Sequence, residues 1–539
     1  MATIYKQPCD EASIASRPAA TPCPSAAGPW ILAAAILGSS MAFIDGTVVN
    51  VALPALQENL SATVLDVQWV VESYALFLAA LLLVGGSLGD RFGRRRIFTT
   101  GVVLFSLASA WCGVAPGVGQ LIAARALQGV GGALLVPGSL AIISASFDEE
   151  RRGQAIGTWS GFTAITAAVG PVLGGWLVQH VSWRSVFFIN LPLGLVVVLI
   201  SVWRVPESKD IEGDARLDWW GAALAPLALG ALTYGLIDSS RAGFNDLAIV
   251  AALGTGIVLL AVVIALEARS RNPILPLSLF GSRDFAGANL LTFFLYAALG
   301  GSLFFVPLNL IQVQGYSPTA AGAALLPFIL IMFVLSRWAG GLVKKRGAKL
   351  PLMVGPVIAA LGFALFTVPG AHGSYWTTFL PAVVVLGLGM VTSVAPLTTT
   401  VMTSVSGNRA GAASGINNAV SRTAGLLGVA VFGILMLKGF NHELDRRVGP
   451  LNVAPEVRQG LDKQRIRLAG AEVPSGINDE QRASLKEAIN ESFVFGFRLV
   501  MGSAAALALA SSVTAYIMIK GKAANASSTD QTERRSGSS

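Results

Sequence analysis

Long apolar runs alternate with short polar segments along almost the whole chain. A helix that crosses a bilayer needs about 20 mostly apolar residues, because lipid offers the backbone no hydrogen-bond partners. We predict fourteen transmembrane helices from these runs. Their approximate limits are 30–52, 68–89, 97–115, 119–145, 154–179, 184–204, 217–238, 246–267, 285–312, 319–342, 350–369, 376–402, 410–438 and 493–519.

Composition agrees with a chain whose solvent is lipid. Of 539 residues, 53% are hydrophobic and only 13% are charged, whereas soluble domains carry about 25% charged residues. The net charge is +8, but the basic residues lie in short loops between apolar runs, so we predict no nucleic-acid partner. Its three cysteines form no cluster with histidine, so the sequence predicts no metal and no cofactor.

Basic residues also predict the orientation of the chain. They concentrate in the loops that follow even-numbered runs, for example Arg91, Arg151, Lys209, Arg269 and Lys344. Cytoplasmic loops are enriched in Lys and Arg, so both termini are expected in the cytoplasm. The predicted location is a bacterial cell (inner) membrane, crossed many times. The long segment 439–492 is then external.

An internal echo predicts two related halves. The segment GSLGDRFGRR at 86–95 follows the second run, and GGLVKKRGAK at 340–349 follows the tenth, with Gly, Leu and Gly at the same spacing. The expected divisions are a disordered tail at 1–29, six-helix bundles at 30–204 and 284–519, a linker with two extra helices at 205–267, and a disordered tail at 520–539. Repeat-built transporters bind substrate between their halves, near the middle of the bilayer.

Five segments then carry a resemblance to a known family. They lie at 45–54, 86–95, 121–131, 161–175 and 183–192, in order and each at the matching helix. Over residues 30–520 the chain resembles the major facilitator superfamily, in its 14-helix drug:proton antiporter branch. The resemblance implies an all-helical fold of two six-helix halves with two inserted central helices. It also implies export of hydrophobic or cationic small molecules by alternating access, driven by the proton gradient.

Two acids and one arginine are candidates for proton coupling. Asp45 lies inside the first run, where a carboxylate costs about 2.5–3.5 kcal/mol to insert. The resembling family uses the matching acid in proton coupling. Arg125 lies at similar depth in the fourth run, and we expect the two side chains to interact. Glu72, near the external end of the second run, either reaches water or faces the cavity as a second acid. The alternative for Asp45 is a structural hydrogen bond to Arg125 or to a backbone amide, and the alternative for Arg125 is a static ion pair that fixes helix packing.

Two further segments predict movement. Asp90, Arg91, Gly93 and Arg94 form a tight cytoplasmic turn, interpreted as a gate whose charge pairs hold one conformation. The alternative is a plain orientation signal, and in the second copy Lys344 replaces the acid. The resemblance also implies an antiporter motif typical of exporters, where close helix packing is the alternative. Its members are Gly161, Gly170, Pro171, Gly174 and Gly175.

Polar and aromatic residues inside the runs predict a substrate cavity. The candidates are Phe43, Tyr74, Asn289, Tyr296, Asn418 and Arg422. Aromatic faces attract organic cations, and an intramembrane arginine faces a cavity or a partner. Packing in the core is the alternative for each one.

Other functions remain as rival hypotheses. A dedicated exporter of one metabolite, antibiotic or siderophore would share these motifs, and the antiporter motif argues against uptake. A membrane enzyme or sensor would need a catalytic cluster or a soluble domain, and the sequence offers neither. The predicted functional unit is monomeric, and a periplasmic adaptor is left open.

Overall fold

The structure, a computed structural model, describes residues 28–147, 149–208, 219–270, 276–405, 410–451, 453–473 and 477–520. Within these ranges the chain is helical and contains no strand. The predicted tails fall almost wholly outside the described residues. The long helices are α1 Gly28–Asn59, α2 Val64–Phe92, α3 Arg94–Val114, α4 Val118–Ser146, α5 Glu149–His180, α6 Ser185–Arg204, α7 Trp219–Ala242, α8 Leu247–Arg269, α9 Arg283–Val313, α10 Pro318–Ala323 with Leu326–Arg346, α11 Lys349–Leu365, α12 Tyr375–Thr403, α13 Ala410–Val448 and α14 Asp479–Met518.

Each predicted span overlaps one of these helices. Among the described residues, 11 helices are long and apolar enough to cross a membrane, so the chain is a multi-pass membrane protein. The number fourteen for the membrane crossings stays a prediction. Some helices extend beyond the predicted spans. Helix α13 continues to Val448, ten residues beyond the expected end of its span, because its polar external turns extend the helix past the apolar run.

Helix packing repeats between the two ends of the chain. Helix α1 packs against α5 and α6, α2 against α4, and α3 against α4 and α6. The same pattern recurs eight helices later, with α9 against α13 and α14, α10 against α12, and α11 against α12 and α14. The fold therefore consists of two six-helix halves of the same design. The exact limits of the two halves stay predictions.

The two inserted helices lie outside this repeat. Helix α7 packs against α2 and α13, which belong to different halves, and α8 packs mainly against α7. Only 11% of the apolar window of α8 is buried, and its exposed face carries side chains such as Val250, Ile257 and Val258. An exposed apolar face of this length suits a helix that contacts lipid. The inserted pair thus covers one seam between the halves.

The halves also meet at the end of the bundle that is predicted to be external. There the Gln312 side-chain amide of α9 donates a 2.8 Å hydrogen bond to Gln57 Oε1 of α1. The short first segment of α10 packs against α5 of the first half. These contacts join the two halves at one end of the molecule.

The predicted external segment is largely ordered into helix. It contains Pro455–Asp462 and a 3-10 turn at Arg465–Gly470, which contacts α1 and α2 of the first half and α9, α13 and α14 of the second. Arg465 pairs with Asp445 and, at 2.7 Å, with Asp462. Leu468 is buried and has a φ of 52°, a conformation that costs a side chain energy and persists only where its surroundings hold it. The segment therefore contacts both halves of the bundle.

Close helix packing predicts a position-specific cost of added methyl groups. A Cβ at Gly131 of α4 would lie 2.6 Å from the Phe105 backbone nitrogen of α3, whereas a Cβ at Gly254 of α8 would meet nothing within 4 Å. Gly131→Ala should cost about 1–3 kcal/mol through overpacking. Gly254→Ala should leave stability unchanged or raise it by up to about 1 kcal/mol, because Ala favours helix. Thermal unfolding of both variants in one detergent checks this, and equal midpoints would contradict the packing.

Candidate functional site

The site is centred on a buried ion pair in the first half. Asp45 lies near the middle of α1 and is 0% exposed, and Arg125 of α4 is 1% exposed. Arg125 Nη1 and Asp45 Oδ2 are 2.5 Å apart. The contact expected between these two residues is therefore present. Each charge neutralises the other, which is the condition under which charged groups are tolerated in a protein interior.

Amide side chains complete the surroundings of this carboxylate. Gln128 donates a 2.8 Å hydrogen bond to Asp45 Oδ1, and Asn190 of α6 donates a longer one of 3.3 Å to the same oxygen. Both amides also donate to Ser109 Oγ of α3, at 3.3 and 3.0 Å. Four helices of the first half thus meet at one carboxylate. Sequence reasoning missed these three residues, although Gln128 and Asn190 stand inside two of the motifs that carried the resemblance.

Arg125 is fixed by more than its carboxylate. It donates to the Val70 carbonyl at 3.1 Å and to Gln128 Oε1 at 2.7 Å. The ring of Tyr74, on α2, lies over the guanidinium with 4.3 Å between the ring centroid and Cζ. A cation over an aromatic face is attracted by the ring quadrupole. Tyr74 thus covers one side of the Arg125 guanidinium, and the ring of Phe187 lies farther away at 5.9 Å.

Beyond Tyr74 lies the second half. Arg422 of α13 interacts electrostatically with both Tyr74 and Tyr296. It makes no hydrogen bond or ion pair with any residue that the structure describes, and it is only partly buried. The hydroxyl oxygen of Tyr74 is buried without a hydrogen-bond partner among the described residues. Tyr74 itself packs in the core of the first half, with Leu78 and Phe105.

Open space lies beside this group in the middle of the helices. Gly46, next to Asp45, is exposed, and a Cβ there would meet nothing within 4 Å. The same holds for the space beside Gly425, one turn from Arg422. Phe43 and Tyr296 are partly exposed and Asn418 is exposed. These positions are consistent with a cavity between the halves.

Asn289 does not fit the predicted cavity. It is 3% exposed, and it donates to the Phe285 carbonyl at 2.9 Å and accepts from Asn417 at 3.2 Å. Asn417 also donates to Thr292 at 2.7 Å. The amide therefore joins α9 to α13 inside the second half, where its own hydrogen bonds keep it out of any cavity.

Glu72 lies in neither of its expected environments. It is 1% exposed, so it does not reach water, and its Oε2 has no hydrogen-bond partner among the described residues. On the same helix, Leu65 clusters with Ile237 and Ala430, and Leu76 clusters with Leu229 and Leu426. Glu72 lies between these two clusters, at the seam of α2 with α7 and α13. Burial of a carboxylate without a partner is costly, which favours its uncharged form there.

Charge pairs surround the turn between α2 and α3. Asp90 and Arg94 pair at 2.8 Å, and Gly93 between the two helices has a φ of 111°, which favours glycine. Glu207, after α6, accepts from the Arg95 backbone amide at 3.0 Å and pairs with Arg96 at 3.5 Å. Sequence reasoning missed Glu207, since it lies more than a hundred residues away along the chain.

Two details bear on the sequence interpretation of this turn. Arg91 lies over the ring of Phe92, and no ion pair of Arg91 occurs within the described part of the chain. Gly347, at the matching position of the second copy, has a φ of 76°. The two similar sequence segments therefore share a positive φ at the matching glycine.

The antiporter motif lies where α5 contacts both α1 and α10. A Cβ at Gly174 would lie 3.0 Å from a methyl of Val48, and one at Gly175 would lie 2.7 Å from Thr319 Cα. A Cβ at Gly322 of α10 would lie 2.6 Å from the carbonyl carbon of Pro171. Gly170 packs in the same way against Thr47. The side-chain surroundings of Gly161 are not among those described. These glycines thus let the halves approach closely at the end that is predicted to be external.

Near these contacts a cavity of about 650 Å³ opens between the halves. Its walls come from α1, α9, α10, α14 and the external segment. Gln57 and Gln312, which bridge the halves, line it together with Glu58, Arg482 and Lys486. The cavity lies at the end of the bundle opposite to the Asp90 turn.

A repeated six-helix bundle with a charged group at the centre of one half is the architecture of a membrane transporter, and comparison with known proteins agrees. The model of the Major Facilitator Superfamily matches residues 35–429. The chain belongs to the major facilitator superfamily and is therefore a transporter rather than an enzyme.

Its relatives include proteins named for resistance. The chain is 32% identical over 497 residues to the tetracenomycin C resistance and export protein of Streptomyces glaucescens, covering 91% of this chain and 92% of the relative. It is 37% identical over 406 residues to the multidrug resistance protein Stp of Mycobacterium tuberculosis, covering 74% of each. A bacterial homologue of the lysosomal transporter Spinster, crystallised inward-facing and unoccupied, aligns with a TM-score of 0.62, 20% identity and coverage of 92% and 98%. That likeness shows the fold.

The buried pair predicts non-additive mutational effects. Arg125→Met leaves the Asp45 carboxylate buried without a counter-ion and should cost about 3–5 kcal/mol. The double variant Asp45→Asn with Arg125→Met removes both charges and should recover part of that loss. Thermal unfolding of the two single variants and the double variant in one detergent gives the coupling energy. Losses that simply add would show that the pair contributes no coupling.

Proposed function

We propose that this chain is a proton-driven antiporter that exports hydrophobic small molecules across a bacterial cell membrane, with both termini in the cytoplasm. Support for export comes from the relatives, which are named for resistance, export and multidrug resistance. Support for proton coupling comes from the site. A functional unit of one chain and a periplasmic adaptor stay predictions from the sequence.

The observation that carries the proposal is a carboxylate that is fully buried in the first half and paired with a buried arginine. Asp45 has its counter-ion on α4, while the next residue, Gly46, faces the space in the middle of α1. Ionisable residues inside membrane-spanning segments are a characteristic element of proton pathways.

Protonation of Asp45 would change the charge balance around Arg125. The guanidinium would keep its bonds to Gln128 and the Val70 carbonyl but would lose its counter-ion. An unpaired buried charge is unfavourable, so helices α1 and α4 would be driven to a different arrangement. Protonated and ionised Asp45 would thus favour different conformations, which is what a coupling residue must achieve.

Substrate would act on the Asp45–Arg125 pair through Tyr74. A molecule in the space beside Gly46 and Arg422 would contact Tyr74, whose ring covers Arg125. Antiport then requires that the substrate and the proton stabilise conformations that open to opposite sides. Contacts at the external end, through Gly175 and Gly322, and charge pairs at the cytoplasmic turn, through Asp90 and Glu207, are the candidates for the two gates.

The role of Glu72 follows from its burial at the seam covered by α7. It is not in contact with Asp45, so it would serve as a second proton site only when α2 and α13 move apart.

A dedicated exporter of a single compound remains the second candidate, because one relative is named for tetracenomycin C alone. A panel of unrelated compounds separates the two.

Proton exchange in proteoliposomes tests the proposal. Purified protein would be reconstituted with an entrapped pH dye, and ethidium, tetracenomycin C and further hydrophobic compounds of either charge would be added across an imposed pH gradient. Wild type should show proton movement evoked by at least one compound. Asp45→Asn should reduce this movement to the level of protein-free liposomes, because an amide cannot release a proton.

The matched control is Asp479→Asn, which makes the same chemical change at an exposed residue in the first turn of α14. It should behave as wild type does. Proton movement that persists in Asp45→Asn would transfer the coupling role to Glu72. No proton movement with any compound would overturn the antiporter.

The cytoplasmic gate gives a separate prediction. At Gly93 an alanine would be strained at a φ of 111°, and its Cβ would lie 2.5 Å from Glu207 Oε1. Strain of this kind costs about 1–3 kcal/mol, so Gly93→Ala should slow substrate-evoked proton movement while the protein still inserts in membranes. Gly117→Ala is the control, because a Cβ there would meet nothing within 4 Å. Equal rates for the two variants would argue against a gate at this turn.

A further inference from the structure

The charge of the central cavity points to a class of substrate. The ion pair of Asp45 with Arg125 contributes no net charge, since its partners lie 2.5 Å apart. Arg422 contributes a full positive charge, because guanidinium groups stay protonated in proteins. It has no acidic partner among the residues that the structure describes. The described centre of the bundle therefore carries an excess positive charge.

Glu72 does not cancel this charge. The two residues belong to facing helices, α2 and α13, yet no ion pair joins them. Glu72 is buried between the apolar clusters that pack α2 against α7, whereas Arg422 acts on Tyr74 and Tyr296. No carboxylate among the described residues therefore forms an ion pair with the guanidinium of Arg422.

The groups around Arg422 are mainly donors of hydrogen bonds. A guanidinium offers five N–H donors and no acceptor, and a phenol offers one O–H. The Tyr74 hydroxyl has no partner among the described residues. Such a set is complementary to acceptor oxygens on a ligand, and the rings of Phe43, Tyr74 and Tyr296 are complementary to an aromatic body.

The cavity at the external end has the same sign of charge. Arg467 and Glu472, both in its wall, pair at 3.5 Å and offset each other. The remaining charged groups of that wall are Arg482 and Lys486 against Glu58. An organic cation would therefore meet excess positive charge both at the centre and at this end. Like charges brought together in a poorly hydrated site repel strongly.

We propose that Arg422 lines a substrate cavity between the halves, that this cavity selects aromatic compounds with acceptor oxygens, neutral or anionic, such as phenolates, quinones and aromatic carboxylates, and that Arg422 discriminates against organic cations. This inference deepens the proposed export function and rests on it. It departs from the preference for cations that the aromatic residues suggested in the sequence. Arg422 acts here on specificity, while Asp45 acts on coupling.

Two dyes of one scaffold test the charge preference. Fluorescein and rhodamine 123 share a xanthene ring system and carry opposite charge near neutral pH. Binding of each dye to purified full-length protein in detergent would be measured by fluorescence anisotropy at fixed pH. Wild type should bind fluorescein at least about tenfold more tightly than rhodamine 123. The attraction or repulsion of one poorly solvated charge by Arg422 has an effect of this size or larger.

Variants assign the preference to Arg422. Arg422→Gln should weaken fluorescein binding about tenfold and strengthen rhodamine 123 binding. Arg422→Lys keeps the charge and should keep the preference, which also leaves the inference testable if the glutamine variant does not fold. Lys438→Gln is the matched control, since Lys438 lies on the same helix over the ring of Phe244, away from the cavity.

Three results would overturn the inference. They are tighter binding of rhodamine 123 by wild type, an unchanged preference in Arg422→Gln, and no binding of either dye. The first of these, together with proton movement that depends on Asp45, would leave the export function standing. If no compound evokes proton movement but the protein still prefers fluorescein, the proposed export function is overturned. The charge selectivity of the binding site would then remain.

Discussion

A carboxylate and a guanidinium in the interior of a membrane bundle must find each other, and much of the first half is organised around that requirement. Asp45 on α1 and Arg125 on α4 pair at 2.5 Å, and Gln128 and Asn190 saturate the second carboxylate oxygen. The pair therefore fixes the relative positions of α1, α3, α4 and α6. It also makes this junction the place where one added proton changes the most, because a buried charge that loses its partner is costly.

The repeated packing explains how such a local change reaches both ends of the molecule. Each half is built on the same helix pairs, and the halves meet along two seams, α2 with α13 and α5 with α10. Tyr74 belongs to α2, one helix of the first seam, and covers Arg125, while the glycines of the predicted antiporter motif lie on the second. The inserted helix α7 closes the first seam from outside and buries Glu72 there. Helix α1 packs against α5, and α4 packs against α2. A rearrangement of α1 and α4 would therefore shift helices of both seams.

Sequence reasoning reached the class of fold because apolar length and loop charge are local properties of the chain. It also anticipated the contact of Asp45 with Arg125, since two opposite charges at similar depth have few other partners. It could not predict the surroundings of Asn289 or Glu72. Helical periodicity indicates which residues share a face, but not whether that face meets a cavity, the same half or an inserted helix. Glu207 and the ordered external segment were missed for a related reason, because their partners are distant in the chain.

The central claim is that substrate and proton compete through Asp45. Titration calorimetry of detergent-solubilised protein with ethidium and with fluorescein, each in two buffers of different protonation enthalpy, counts the protons released when a compound binds. The account predicts proton release from wild type with any compound that binds, and none from Asp45→Asn that still binds it. Equal proton release from wild type and from Asp45→Asn would contradict the account, since the exchanged proton would then come from another residue.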